Sequence, residues 1–540
     1  MSARAKLVSS RSRVLRRCAA GAAAAAFGLL APAPLFSQAQ SPTADAAPPV
    51  IDVNTHVFNL RYLPVRGILV ARGVPATVAE ALDRLLVGAT PLADLAAPAD
   101  QLLAADALDV TAMDTAQSKQ WVLGRLQTSQ ADRREMLTPK ERRALRKYVA
   151  DSWARADRPP GEASDLELVE AALDEARFAP DRDRSYPRFL ALLMQNEVAI
   201  VRNARRDYPG VDLMIHHLMD MERPYDDRPS LDNARQIERL TPLAELFPGR
   251  LASFVAFDPF RRERALSTVR AAIESKRALG VKFYPPSGYR AGGNASWPAK
   301  PSWWRFALRD QWSSRYGGWR GRDLDDVNRQ LFAYCVKNDV PLLAHCTPDG
   351  FEASAGYGAM SDPAYWRGVL EDARFAKLRL ALAHAGGGGS WFSEGPWDGT
   401  RDFDQRAWDL ATRFPNVYLD LSYSDEVLDP GLRAALRRRL VALLPAQPGR
   451  PHALGDKLLY GSDWHMVGVL DGRREIFVEL ERLFTDPALA PFRARFFAGN
   501  AARFLRLREW VDAAPLEPAQ QQAFRALLAR IDAAAAASPH

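Results

Sequence analysis

The feature that most constrains the fold of this 540-residue chain is an alternation of short apolar runs with segments of helical periodicity from residue 50 onward. Most of these runs are continuously apolar, as expected of parallel strands that are buried on both faces. Eight of them qualify as strands, at 50–57, 212–216, 252–257, 280–284, 340–345, 378–384, 416–421 and 457–461. Eight strands that alternate with helices predict an α/β fold, the (β/α)8 or TIM barrel.

The spacing of the predicted strands is uneven. Residues 58–211 are far too many for one crossover, and their helical periodicity predicts a large, mainly helical insertion after the first strand. A second long connection, 285–325, follows the fourth strand and is expected to cover the barrel mouth. It contains the tryptophans at 297, 303, 304, 312 and 319. Residues 512–540 are expected to form a helical tail with an alanine-rich end.

The first 39 residues have the pattern of an export signal. Six basic residues and no acidic residue precede an apolar run at 18–31, and a small-x-small site follows at 37–39. The run is too short for a stable membrane span, so we expect removal of residues 1–39 and a periplasmic or secreted protein of residues 40–540. The alternative is an uncleaved anchor.

Removal of this segment changes the charge of the chain. The formal net charge of +7 falls to +1 when the six basic residues leave. No basic stripe interleaved with aromatic residues remains, which argues against a nucleic-acid partner. The remaining cysteines, Cys335 and Cys346, lack zinc-finger spacing and allow at most one disulfide bridge.

Most of the histidines lie in or directly after predicted strands. Five of the eight do so, namely His56, His216, His217, His345 and His384. Because the carboxyl ends of barrel strands converge on one mouth, three of them (His56, His345 and His384) are expected to meet Asp463 from the eighth strand. Such imidazole and carboxylate groups suit one divalent metal ion, with Zn or Mn preferred. The alternative is that all four are packed core residues that satisfy one another.

Several motifs occur in the order and spacing of a known superfamily. They are IDVNTHVFN at 51–59, AH at 344–345, AHAGG at 383–387, NVYLDLS at 416–422, GSDW at 461–464 and GNAAR at 499–503. Together they resemble the amidohydrolase superfamily, and most closely its amidohydrolase-related branch, which includes the aminocarboxymuconate semialdehyde decarboxylase group. The resemblance covers most of residues 50–510 outside the two long insertions.

This resemblance implies roles for individual residues. His56, His345 and Asp463 would be metal ligands, His384 a ligand or an acid/base group, and Asp463 also a proton acceptor. Asn54 departs from the family pattern because it stands where the first histidine is usual. An amide oxygen is a poorer zinc ligand than imidazole, so the site could be weaker, could prefer a harder metal, or could have lost its metal.

Lys282 lies at the fourth-strand position where binuclear members of the superfamily carry a bridging carbamylated lysine. Three roles remain open for it: such a bridge, a contact with substrate or oxyanion, and a structural ion pair. Asn54 argues against a second metal. His216, His217 and His465 are candidates for supporting or substrate contacts, against the alternative of ordinary loop histidines.

Together these features predict an exported, metal-dependent hydrolase in which an activated water attacks an amide, ester or lactone carbonyl of a small-molecule substrate. Two alternatives stay open. One is a metal-dependent, non-oxidative decarboxylase of an aromatic or enoic acid, and the other is a metal-free lactonase or a small-molecule-binding barrel. The sequence is compatible with a homo-oligomer, and no stable membrane span is expected after removal of the signal.

Overall fold

A computed structural model describes residues 48–104, 108–130, 135–155, 163–176, 186–275, 277–296, 321–393 and 395–537. Eight parallel strands form one sheet in the order β1 to β8. They are β1 Ile51–Thr55, β2 Leu213–His217, β3 Leu251–Phe257, β4 Gly280–Phe283, β5 Leu342–Ala344, β6 Leu380–Leu382, β7 Val417–Leu421 and β8 Leu458–Tyr460. Each overlaps one predicted strand, so the predicted barrel is confirmed.

The sheet closes between its first and last strands. A parallel bridge joins Thr55 to Trp464, and the Asp463 N–H donates to the Asn54 carbonyl at 2.7 Å. The Ser462 N–H donates to the buried Asp52 carboxylate at 2.9 Å. These contacts bring the residues that follow β1 and β8 side by side at the mouth.

The helices of the described residues fall into three groups. Between β1 and β2 lie α1 Val65–Ala71, α2 Ala76–Gly88, α3 Ala99–Ala104, α4 Thr115–Ser129, α5 Pro139–Arg155, α6 Asp165–Glu175, α7 Tyr186–Leu193 and α8 Glu197–Asp207. The crossover helices are α9 Asn233–Glu245, α10 Glu263–Ser275, α11 Gly321–Asn338, α12 Ala364–Glu371, α13 Phe403–Arg413, α14 Pro430–Leu443 and α15 Arg473–Leu483. After them come α16 Asn500–Leu505, α17 Leu507–Ala513 and α18 Pro518–Ala537.

The helices between β1 and β2 begin at recognisable sequence signals. Pro139 is the first residue of α5, where a missing N–H costs nothing. Ser164 and Glu167 form a reciprocal capping box at the start of α6. Glu197 of α8 is fully buried and accepts hydrogen bonds from Tyr62 and Arg239, which ties the end of the segment to residues beside β1 and β2.

The hydrophobic core has an outer and an inner part. The outer part fills the space between strands and helices, and the inner part lies inside the barrel. At the amino ends of the strands the inner part continues into α16 and α18, through Phe504, Phe524 and Leu527. The amino end of the barrel is therefore packed with apolar side chains.

Some sequence features lie outside the described residues, namely the signal at 1–39 and the five tryptophans of the loop after β4. The described part of that loop contains short turns at Pro285–Ser287 and Asn294–Ser296. Cys335 and Cys346 are buried and unbridged. Within the described residues, no helix combines the length and apolarity that a membrane span requires.

Candidate active site

The carboxyl ends of the strands bring together the polar residues singled out from the sequence. His56 follows β1, Lys282 lies in β4, His345 and His384 follow β5 and β6, and Asp463 follows β8. Each of these five is less than a tenth exposed. Nε2 of His56 is 3.3 Å from Oδ1 of Asp463, and the rings of His345 and His384 are 4.9 Å apart.

The protonated nitrogen of His56 follows from its hydrogen bond. Nδ1 lies 3.1 Å from the His217 carbonyl oxygen, which can only accept, so Nδ1 carries the proton. Burial and the charge of Lys282 lower the pKa of His56 to about 3, so the ring is neutral. Nε2 therefore presents a lone pair toward Asp463.

His384 belongs to a chain of hydrogen bonds centred on Ser422. The Asn54 side-chain N–H donates to the Ser422 hydroxyl at 3.1 Å, and that hydroxyl donates to the Asp420 carboxylate. Because the only hydroxyl proton is used in this way, Nδ1 of His384, 2.8 Å from Oγ of Ser422, must donate. Nε2 of His384 is left as the basic nitrogen.

The backbone at two of these residues is held in the left-handed region. His384 has φ 59° and Asp463 has φ 59°, a conformation that is uncommon for residues with a side chain. The Asp420 carboxylate accepts the His384 N–H at 2.9 Å and helps to hold the first of them. Conformations of this kind concentrate at functional sites, where the surrounding structure enforces them.

His345 is engaged differently from the other two histidines. Its Nε2 lies 2.9 Å from the Asp349 carbonyl oxygen, so it carries a proton and donates. Gly350, at φ +134°, allows this approach, because a Cβ there would lie 2.9 Å from Nε2 of His345 and from the Tyr284 hydroxyl. In this conformation Nε2 of His345 is not available as a ligand.

Three further histidines, His216, His217 and His465, support the site or border it. His217 donates from Nε2 to the Val53 carbonyl at 2.7 Å, and His216 accepts the Val57 N–H at 2.9 Å. His465 is fully buried, with its ring 5.0 Å from that of Phe58 and 5.4 Å from that of Phe189 in α7. His217 thus orients His56, and His465 packs between the first strand and the helices that follow it.

Electrostatic coupling links the groups at the mouth. Burial lowers the pKa of Lys282, against the opposing effect of Asp463 and Asp420. Burial raises the pKa of Asp463, and the ammonium of Lys282 partly offsets that rise. The same ammonium helps burial to lower the pKa of His345 to about 3. The histidines are therefore neutral, as metal ligation and base catalysis both require.

The donor atoms fit a divalent metal ion, although the site is only partly preformed. Within the described ranges, no three His, Cys, Asp or Glu side chains converge closely enough to hold an ion. Two do converge, Nε2 of His56 and Oδ1 of Asp463, at 3.3 Å. Two ligands of one tetrahedral zinc are also about 3.3 Å apart. Oδ1 of Asn54 is buried, has no hydrogen-bond partner among the described residues, and is a further oxygen donor.

Sequence reasoning missed Asp420 and Ser422 as members of the site, and it missed the buried Asp52 that receives the Ser462 N–H. The signal for the first two was available. Asp420 and Ser422 are two residues apart in and after β7, so they point to the same side of the strand. The NVYLDLS motif contains both.

A family model described as amidohydrolase matches residues 226–507, just over half of the chain. No curated protein sequence matches the chain.

Solved structures with a similar fold include three at low identity. The 5-carboxyvanillate decarboxylase from Sphingomonas paucimobilis is 17% identical, with a TM-score of 0.37, and the match covers 62% of this chain and 90% of that one. A dihydroxybenzoic acid decarboxylase from a Polaromonas species, with bound manganese, is 16% identical, with a TM-score of 0.37 and coverages of 62% and 93%. An amidohydrolase from Burkholderia multivorans, with bound zinc, is 16% identical, with a TM-score of 0.35 and coverages of 59% and 91%.

Proposed function

This chain belongs to the amidohydrolase family, and from that membership and the geometry of the barrel mouth we propose that it is a metal-dependent hydrolase of small molecules. Its substrate would present an amide, ester or lactone carbonyl at the carboxyl ends of the strands. The residues proposed to act there are His56, Asp463 and His384, with Lys282 beside them.

The observation that carries the proposal is the pair of Nε2 of His56 and Oδ1 of Asp463 at 3.3 Å. Nε2 is an acceptor, because the proton of the ring is on Nδ1, and a carboxylate oxygen is also an acceptor. Two acceptors at this distance need a proton or a cation between them. A divalent ion, Zn or Mn, held by these two atoms would lower the pKa of a water molecule and polarise a carbonyl oxygen.

The other residues then have defined tasks. His384 offers Nε2 as a base, because its Nδ1 proton is committed to Ser422. Asp420 and Asn54 hold Ser422, so all three fix the orientation of the His384 ring. Asp463 can accept a proton from the attacking water. His345 would join as a ligand after its Nε2 parts from the Asp349 carbonyl.

The second candidate function is non-oxidative decarboxylation of a small acid. Lys282 favours it, because a buried cation at the mouth is a charge partner for a carboxylated substrate. The two candidates use the same residues and differ in the bond that breaks.

Metal analysis tests the first part of the proposal. The protein purified without chelator is expected to hold about one equivalent of Zn or Mn, the His56→Ala variant much less, and the His452→Ala variant as much as wild type. His452 is a suitable control because it follows α14, away from the mouth. A wild-type protein that stays empty when offered either metal contradicts the proposal and favours a metal-free lactonase or a binding barrel.

Substrate screening separates the two reactions. Esters, lactones and amides are offered in one series and aromatic and enoic acids in another, and release of acid or of carbon dioxide is measured. Turnover in the first series that depends on His384 supports the hydrolase. Carbon dioxide release without hydrolysis replaces it with the decarboxylase.

We also propose export of the chain with loss of residues 1–39, on the charge and hydropathy pattern of its first residues. The intact mass of protein recovered from the bacterial periplasm should correspond to a chain that begins at residue 40. A full-length mass in the membrane fraction would indicate an uncleaved anchor.

A further inference from the structure

Lys282 projects into the interior of the barrel. Within β4 it is flanked by Val281 and Phe283, and the Phe283 ring packs outward against Trp366 at 5.2 Å. Because side chains alternate along a strand, Lys282 points to the opposite face. It is paired in register with Leu343 of the inner core and is 2% exposed.

The part of the chain that the structure describes contains no close partner for the ammonium of Lys282. None of its residues forms a hydrogen bond with the ammonium or an ion pair within 4 Å. Its electrostatic neighbours are the carboxylates of Asp463 and Asp420. A buried ammonium without a paired group is costly, and such groups are usually retained for a ligand or a reaction.

Histidine side chains from four strands share the mouth with this charge, namely His56, His217, His345 and His384. An imidazole carries no negative charge in either protonation state. Among the described residues, only the carboxylates of Asp463 and Asp420 therefore oppose the ammonium. If Asp463 also holds a divalent ion, as the proposed function requires, the positive charge at the mouth exceeds the negative charge.

We propose that Lys282 is the anchor for a carboxylate group of the substrate, so that the site selects small organic acids over their neutral analogues. This inference rests on the proposed function, because the bound metal ion supplies the excess of positive charge. The substrate is then an anion in which one carboxylate contacts Lys282 and another group contains the bond that reacts. It assigns Lys282 to substrate contact, in place of a metal bridge or a structural ion pair.

Matched pairs of an acid and its amide test the anchor without any turnover. Binding of benzoate and benzamide, and of butyrate and butyramide, is measured by calorimetry on metal-loaded wild-type protein. Each amide has nearly the shape of its acid but no charge. The wild-type protein should prefer the acid in at least one pair by about tenfold or more, since hydrogen bonds to charged groups are the stronger ones.

The Lys282→Met variant should lose this preference while its affinity for the amide stays within about twofold of wild type. Lys337→Met, at an exposed lysine of α11, should leave both affinities unchanged. The Lys282→Arg variant keeps the charge and should keep part of the preference for the acid.

Three results would overturn the inference: a wild-type protein that prefers neither acid, a Lys282→Met variant that keeps the preference, and equal losses for acid and amide. The first of these results is measured on the wild-type protein alone. The inference can therefore be tested even if the Lys282→Met variant does not fold. Metal analysis of the same samples keeps the two proposals distinguishable. A metal-free protein with a Lys282-dependent acid preference would refute only the proposed function.

Discussion

Ser422 is the residue that joins three other groups of the mouth into one hydrogen-bonded unit. Its hydroxyl accepts from Asn54 and from Nδ1 of His384, and it donates to Asp420. Every hydrogen-bonding position of the hydroxyl is thereby used. The side-chain N–H of Asn54 consequently helps to position His384 through Ser422. This role is independent of whether the amide oxygen of Asn54 binds a metal ion.

A double-mutant cycle tests this unit at the residue scale. Ser422→Ala should lower the free energy of unfolding by about 1–3 kcal/mol, because it leaves buried donors of Asn54 and His384 unpaired. Asn54→Ala should cost a similar amount, and the double variant less than the sum of the two. Urea unfolding measures all three. Additive costs would show that the residues act independently.

Ser361 provides the control for Ser422→Ala. It is also buried, at 1% exposed, but no described residue forms a hydrogen bond with its hydroxyl. Ser361→Ala should therefore change the free energy of unfolding much less than Ser422→Ala.

Gly350 gives a second prediction at the residue scale. A Cβ at this position would lie 2.9 Å from Nε2 of His345, so Gly350→Ala should displace the His345 ring and reduce turnover. Gly356→Ala is the control, because Gly356 also has a positive φ but no described atom lies within 4 Å of the added Cβ. Both variants should lose thermal stability through backbone strain, and only Gly350→Ala should lose activity beyond that. Equal activities would contradict the proposed contact.

At the scale of elements, α13 holds the glycine-rich loop that follows His384. The Asp404 carboxylate in its first turn accepts the Gly388 N–H at 2.6 Å and the Ser390 N–H at 2.9 Å. Burial, with a contribution from the nearby Asp402, nevertheless raises the pKa of Asp404 to about 7. The position of this loop therefore depends on a carboxyl group that titrates near neutrality.

The sign of the pH effect follows from this shift. Because the folded-state pKa lies above that of the unfolded chain, the protonated carboxyl stabilises the fold at low pH, and this contribution is lost as the pH rises from about 4 to about 7. The stability of wild type relative to Asp404→Asn should fall over that range, by at most about 1.4 kcal/mol per pH unit. Urea unfolding between pH 5 and pH 8 measures the difference.

Asp372 is a suitable control for this titration. Hydrogen bonds from Arg374 lower the pKa of Asp372 to about 2, below the range tested. The stability difference between wild type and Asp372→Asn should therefore be independent of pH. If the stability difference between wild type and Asp404→Asn is also independent of pH, the Asp404 carboxyl is ionised throughout the range from pH 5 to pH 8.

A second element, α8, supports the segment after β8. Its last residue, Asp207, accepts hydrogen bonds from the Trp464 indole at 2.9 Å and from Arg473 at 2.9 Å, and both partners are buried. Asp207→Ala should cost about 3–5 kcal/mol, because it leaves Arg473 buried without its partner. The loss should extend to metal affinity, since Trp464 directly follows Asp463. Calorimetric melting and metal titration measure the two effects.

Asp532→Ala controls for the loss of an ion pair as such. Asp532 pairs with Arg508 on the surface, where both side chains are more than half exposed. Pairs of this kind contribute about 0–1 kcal/mol, so this variant should melt close to wild type. A small effect of Asp207→Ala would mean that α8 does not support the mouth.

At the scale of the whole molecule, the two ends of the barrel differ in character. The carboxyl ends of the strands hold the polar site, and the amino ends are packed by apolar residues of α16 and α18. Phe524→Ala, at a fully buried position of α18, should lower the free energy of unfolding by about 3–5 kcal/mol and leave KM unchanged in folded protein. Leu432→Ala, at a position 39% exposed in α14, should affect neither. A changed KM for Phe524→Ala would show that the two ends are coupled.

The pattern of residues along the chain was sufficient to predict the barrel and the region in which the site lies. Eight apolar runs and the helices between them leave few other arrangements, because parallel strands must be buried on both faces and their connections are right-handed. The position of a residue at the end of a strand then places it at the mouth. This rule predicted that His56, His345, His384 and Asp463 meet there. Strand ends were predicted to within a few residues.

The hydrogen bonds and charge partners of each polar atom in the site depend on contacts between distant parts of the chain. The ring protons of His56 and His384 are fixed by His217 and Ser422, which lie on other strands, and Nε2 of His345 is occupied by a carbonyl of its own loop. From the sequence, Lys282 could bridge two metal ions, form a structural ion pair or bind substrate. The closed barrel shows that no described residue is a close partner of its ammonium. Hydrogen bonds and charges act through space over a few ångströms, between residues up to 410 positions apart. They therefore cannot be predicted from the order of residues along the chain.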